Sequence, residues 1–250
     1  MLPSCDWLNG LTCSWFPRYR LLDYFYTAFH KASTDGTPVL NPLWYLYPSD
    51  PSTWGIDLQF FFGDAILVSP VTADNATSVD IYLPKDTFYD FTTLVPVQGE
   101  AQNVSLTNVN FTTIPVHIRS AVVLPLRIES AMTTAELRTK DFEIVVAPGS
   151  NGTASGSLYL DDGVSLVQTH GVSEVTFAYS GTKLTVSGHF GFRTDVRFAQ
   201  VTFLNVQQAH GVAVNGQQVG ASDVSYDVGR KVLTARVDMP ISEGFTVELK

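Results

Sequence analysis

Hydrophobic positions along the chain follow different rules on either side of Trp54. In PRYRLLDYFYTAFHKASTDG, residues 17–36, apolar side chains recur at Leu22, Phe25, Tyr26 and Phe29, the spacing that places them on one face of a helix. Pro17 suits the first turn of that helix, and Gly36 suits the residue just past its end. The next run, Val39 to Tyr47 (VLNPLWYLY), is almost continuously apolar and predicts a strand covered on both faces. PSDPSTWG then breaks regular structure, because proline removes a donor and turns the preceding residue away from helix. A second apolar run spans Phe60 to Val71, so Gly36 to Val71 reads as a junction between two architectures.

From Ser78 onward the period falls to two. VDIYLP sends Val79, Ile81 and Leu83 to one side and Asp80 and Tyr82 to the other, and FYDF, NVSL, FTTIPVHIR and AVVLPL follow as further short strands. TTAELRTK, residues 133–140, predicts a helical turn or an extended linker. Beyond it, DFEIVVAP, GSLYLDDG, EVTFAYS, TKLTVSGH, VRFAQVTFLNV, VAVNGQQV, VSYDVG, KVLTARVDM and GFTVELK recur at the spacing of a β-sandwich. Asn215-Gly216 is the sharpest hairpin signal, since a type I′ turn needs positive φ at both central positions.

Composition narrows the partners. The chain has 250 residues, 45% of them apolar, enough for a substantial core. Its 15 basic against 24 acidic side chains give a formal charge of −9, which disfavours nucleic acid and anionic membrane as partners. No run approaches the ~18 apolar residues of a membrane-spanning helix. The N-terminal MLPSCDWLNGLTC has neither a basic nor an apolar signal region, so no signal peptide is read there. Four Asn-x-Ser/Thr sequons, at Asn75, Asn103, Asn110 and Asn151, nevertheless point to a secreted glycoprotein. Cys5 and Cys13 either close a small loop or remain free thiols.

Reactive constellations are scarce. There is no Gly-x-Ser-x-Gly elbow, no phosphate-binding glycine loop and no metal-ligand spacing, and His30, His117, His170, His189 and His210 stand singly. Neither a cofactor nor a metal is expected. Asp161-Asp162-Gly163 reads as a turn, because Asp and Gly tolerate left-handed geometry. Asp57 and Asp64 form only a loose pair.

The ordered succession RYRLLDYFYTAFHKASTDGTPVLNPLWYLYPSDP, DLQFFFGDAILVSPVT, IYLP, TIPVHIRSAVVLPL and GSLYLDDGVS closely resembles the C-terminal part of fungal α-glucosidases of glycoside hydrolase family 31. The resemblance implies a mainly β chain. Residues 1–17 are a leader unlike the family, 18–56 the last helix and strand of a truncated (β/α)8 barrel, 57–130 a proximal β-domain and 131–250 a distal β-sandwich. It implies a fragment of a retaining exo-α-glucosidase acting on maltose-like substrates, with both catalytic carboxylates upstream and no catalytic residue here. The fragment is then inactive alone. Its partners would be α-glucosides and the missing catalytic part, with no nucleic acid and no membrane. Tyr47, Ser49 and Asp50, at the end of the expected barrel strand, would lie near the substrate cleft.

A barrel remnant without its neighbours should expose Leu22, Phe25, Phe29, Leu43, Trp44 and Leu46. Removing residues 1–55 is therefore expected to improve solubility. The alternative reading is a stand-alone secreted carbohydrate-binding sandwich with aromatic sugar platforms. The helix before residue 55 separates the two, since a sandwich has no use for it.

Overall fold

A computed structural model describes residues 18–109, 113–208 and 211–250. The expected leader, Cys5, Cys13, Asn110 and His210 fall outside the described residues. Helix α1 (Leu22–Asp35) ends where the sequence places it: Gly36 takes φ 78° and its N–H bonds the Ala32 carbonyl.

Six short strands follow as one sheet. They are β1 (Leu40–Pro42), β2 (Phe60–Phe62), β3 (Ile66–Val68), β5 (Thr87–Asp90), β6 (Pro96–Gln98) and β8 (Val116–Arg119), ordered β1-β2-β3-β8-β5-β6. A separate two-stranded ribbon of β4 (Ser78–Leu83) and β7 (Gln102–Thr107) covers one face of it. Leu43, Phe61, Leu67, Ile81, Leu83 and Phe88 form the core between ribbon and sheet. Period two decides which residues enter it: Phe61 faces the ribbon, while Phe62 faces the opposite way.

The remaining strands build an 11-stranded sheet. It holds β9 (Val122–Arg127), β10 (Phe142–Ala147), β11 (Thr153–Leu160), β12 (Ser173–Ser180), β13 (Lys183–Phe190), β14 (Arg197–Phe203), β15 (Val212–Val214), β16 (Gln217–Gln218), β17 (Val224–Asp227), β18 (Val232–Pro240) and β19 (Phe245–Leu249). Phe198 of β14 lies 5.8 Å from Phe177 of β12 and 5.8 Å from Phe245 of β19, so strands far apart in the ladder meet across one core. The sheet folds over on itself. Asn215 and Gly216 turn β15 into β16 with φ of 50° and 81°, the type I′ signature expected of them. Residues 134–137 form one helical turn capped by the Thr133 side chain.

Strands β9 and β10 bind the two sheets together. Val123, Phe142, Ile144 and Val146 point into the large-sheet core, whereas Val122, Leu124, Leu126, Val145 and Ala147 join Ile66, Tyr89 and Ile118 between the sheets. Both strands are thus buried on both faces, which explains why their runs are apolar but for Glu143 and Arg127.

Two expectations change. Val39 to Tyr47 is not a doubly covered strand: only Leu40–Pro42 is extended, at the edge of the sheet and antiparallel to Phe60–Phe62. Leu43–Leu46 then forms one helical turn, α2, with Leu43 fully buried and Trp44 and Tyr45 each 47% exposed. The inward residues Leu43, Leu46 and Tyr47 follow i, i+3, i+4, a helical period hidden because Trp44 and Tyr45 are apolar too. Secondly, the boundary at 130/131 does not separate the sheets, because β9 pairs with both β10 and β11. The chain changes sheet at Ser120–Ala121, where Ala121 takes φ 64°.

Candidate functional site

The residues expected near a substrate are held by structural bonds. Tyr47 Oη donates to Asp86 Oδ2 at 2.8 Å, and Ser120 Oγ donates to Asp86 Oδ1 at 2.7 Å. Burial and the Asp86 carboxylate push the Tyr47 phenol well above its ordinary value. Asp50 caps the short 3-10 turn Pro51–Thr53, accepting from the Ser52 amide at 3.1 Å, while its other oxygen accepts from Tyr82 Oη at 2.7 Å. Ser49 is exposed. Around this loop stand three exposed aromatics: Trp44, expected to be exposed, and two that the sequence reading passed over, Tyr45 and, at 64%, Trp54.

The Asp-Asp-Gly turn is likewise built from hydrogen bonds. Asp162 accepts from the Val164 and Ser165 amides and the Ser165 hydroxyl, which lowers its carboxyl to about 2. Asp161, 2% exposed, accepts from Tyr26 Oη at 2.9 and 2.8 Å and from the Gly163 amide. Burial, then the bond to Asp161, raises the Tyr26 phenol to about 12. Among the described residues, no three His, Cys, Asp or Glu side chains group as metal ligands.

The strongest polar constellation escaped the sequence reading. Arg127, 3% exposed at the end of β9, makes a bidentate pair with Asp23 of α1, Nε to Oδ2 at 2.7 Å and Nη2 to Oδ1 at 2.8 Å. Its guanidinium also lies 3.9 Å over the Phe142 ring. Arg20 bonds the Arg127 carbonyl at 2.7 Å and Glu143 at 2.6 Å, and Glu143 accepts from Thr202 Oγ1 at 2.6 Å. Thr27 receives the Tyr159 amide at 3.0 Å, and the His30 ring stacks on Tyr159 with centroids 3.6 Å apart.

On its other side, α1 reaches the six-stranded sheet. Tyr24 Oη donates to the Phe62 carbonyl at 2.8 Å and accepts from the Ala65 amide at 3.1 Å, while Phe25 stacks on Phe62 at 3.9 Å. Gly63 is required between them: its φ is 59°, and a Cβ there would collide with the Tyr24 hydroxyl. The helix therefore clamps both sheets. Phe25 and Leu43 have partners, contrary to the expected bare patch, whereas Phe29 at 58% and Trp44 stay exposed. A sequence signal existed in Glu143 inside FEIVVA and Arg127 closing VVLPLR, since a lone charge in a doubly buried strand needs a partner.

His117 of β8 is 2% exposed and its Nδ1 has no partner, so burial holds its imidazole below the usual value against the pull of Asp90. The lowered folded-state value means that stability is complete above the unfolded value of about 6.5 and declines as pH falls through it. Urea unfolding should show a slope of up to ~1.4 kcal/mol per pH unit just below that point. His117→Gln should flatten it; an unchanged slope would refute the assignment.

Residues 36–124 match the Glycosyl hydrolase family 31 C-terminal domain. A protein of Neosartorya fischeri named "Probable alpha/beta-glucosidase" is 49% identical over 232 residues, covering 93% of this chain and 25% of that protein. The chain belongs to glycoside hydrolase family 31, as a C-terminal part. An alpha-glucosidase of Schizosaccharomyces pombe is 34% identical over 235 residues, 91% of this chain and 24% of its own length. The crystal structure of a glucosidase II alpha subunit superimposes with TM-score 0.81 at 25% identity, covering 94% of this chain and 28% of that one. The family 31 chain thus spans about a quarter of the length of the relatives it matches.

Proposed function

We propose that this chain is the non-catalytic C-terminal part of a secreted, retaining exo-α-glucosidase that removes terminal α-linked glucose from maltose-like substrates. In this reading α1 is the last helix of the (β/α)8 barrel, followed by a proximal β-domain and a distal β-sandwich that meet at Ser120–Ala121. The kinship with glucosidases over 93% of the chain carries the proposal. Retention requires two carboxyls about 5 Å apart, one attacking and one donating a proton. The acidic residues nearest the expected cleft and turn are otherwise engaged: Asp50 caps a helical turn, Asp86 holds Tyr47, and Asp161 and Asp162 shape a loop. The chain's contribution is then a rigid seat for α1. Tyr47 and Asp50 hold the loop that carries Trp44, Tyr45 and Trp54 toward the cleft side, and the partner on that side is the catalytic part of the same enzyme.

The helix no longer distinguishes this reading from a carbohydrate-binding sandwich, because α1 is built into the sheets. The relatives favour the glucosidase. Purified chain incubated with maltose or an aryl α-glucoside is expected to release no glucose above the blank. Turnover that persists through purification and through Asp50→Asn and Asp162→Asn would overturn the proposal.

A further inference from the structure

An open cavity of about 220 Å³ lies along β4, between it and the loop before β2, and reaches the outer face of the β4–β7 ribbon at Asn103. Antiparallel pairing sets Asp80 opposite Ser105 and Tyr82 opposite Asn103, so the four side chains share that face. Across the cavity stand Ile56 and Leu58 from the loop before β2, with Leu58 56% exposed. Asn103 itself lines the cavity and is exposed, and it begins the sequon Asn103-Val104-Ser105. An attachment point and an adjoining sugar-sized cavity therefore coincide at one residue. Asn75 and Asn151 are exposed too, yet neither lines this cavity.

We infer that Asn103 carries an N-linked glycan whose first N-acetylglucosamine lies in this cavity and ties the ribbon to the loop at 56–59. The walls suit that sugar. Ile56 and Leu58 offer aliphatic surface to its acetyl methyl and ring face, while Asp57, Asp80 and Thr72 offer acceptors to its hydroxyls. The only polar side chain in the sequon besides Asn103, Ser105, donates to Asp80 in the folded protein, which fixes the carboxylate on that face. Attachment is an oligosaccharyl transfer from a lipid diphosphate donor on the unfolded chain. The Asn103 Nδ2–C1 bond forms, the C1–O bond to the diphosphate breaks, an amide proton leaves, and lipid diphosphate departs. The glycan then does for the ribbon what a short covalent tether would do, adding contacts in a place where the protein leaves Leu58 bare.

This inference rests on the secretory reading above, and one experiment separates their fates. The full 250-residue chain is secreted from a glycosylating yeast, its glycopeptides are weighed, and the native protein is treated with an endoglycosidase that cuts between the first two N-acetylglucosamines. Asn103 should be occupied, and its glycan should be trimmed several-fold more slowly than that on Asn151. Asn103→Gln should lower Tm by about 2–4 °C, with Asn151→Gln leaving it unchanged. Leu58→Asp should keep Asn103 occupied but remove the slow trimming. Sugar at Asn75 or Asn151 with none at Asn103, or equal trimming at Asn103 and Asn151, overturns this inference alone. No sugar at any sequon overturns the secretory reading and the inference together.

Discussion

Arg127→Ala is expected to lower the unfolding free energy by about 3–5 kcal/mol, because it leaves the Asp23 carboxylate in a desolvated site without its counter-charge. The lost guanidinium also removes the cover over Phe142 and the donor to the Lys140 carbonyl. In a chain of this size the change corresponds to roughly 6–20 °C in Tm. Asp23→Ala should be comparably harmful, since it strands the guanidinium instead. The double replacement Asp23→Leu with Arg127→Met should recover much of the loss, because a buried pair as a whole contributes little over an apolar substitute of similar volume. Urea unfolding of the native chain, Asp23→Leu, Arg127→Met and their combination gives the coupling directly. A single-variant cost below about 1 kcal/mol, the usual worth of an exposed pair, would mean that the helix is not clamped as described.

Deleting residues 1–36 is expected to do worse. It strands Arg127 as Asp23→Ala does and also removes Leu21, 3% exposed, and Phe25, packed on Phe62, from the core between the sheets. Each such side chain contributes about 1.5–3 kcal/mol by burial. Together with the stranded charge this approaches the 5–15 kcal/mol that holds a typical domain folded. The truncated protein should therefore be less soluble and bind a hydrophobic dye, the reverse of what an unpartnered barrel remnant would do. Equal or better solubility and Tm on truncation would restore the picture of a detachable remnant.

Much of the β architecture was legible in the sequence. Strand positions follow the period-two runs from VDIYLP to GFTVELK, and the Asn215-Gly216 hairpin and the Gly36 helix end fall where their backbone requirements put them. The candidate site was less legible. Tyr47 and Asp50 were picked out, but their hydrogen-bond partners Asp86 and Tyr82 are more than thirty residues away in sequence. Apolar runs gave mixed results for one reason: hydrophobicity reports how much surface is covered, not the direction the backbone takes. Val122 to Leu126 and Phe142 to Ala147 are strands covered on both faces, whereas Val39 to Tyr47 divides into an edge strand and a helical turn.

By itself the sequence determined the local elements and the family, because periodicity, turn chemistry and ordered motifs are properties of neighbouring residues. Only the tertiary structure decided what those elements are for. Asp23 and Arg127 are 104 residues apart, Arg20 and Glu143 are 123 apart, and Thr27 and Tyr159 are 132 apart. None of these pairs leaves a local trace beyond a charge or hydroxyl in an unexpectedly apolar setting. Burial makes each of those groups require a partner, and only the packing of α1 across both sheets supplies one.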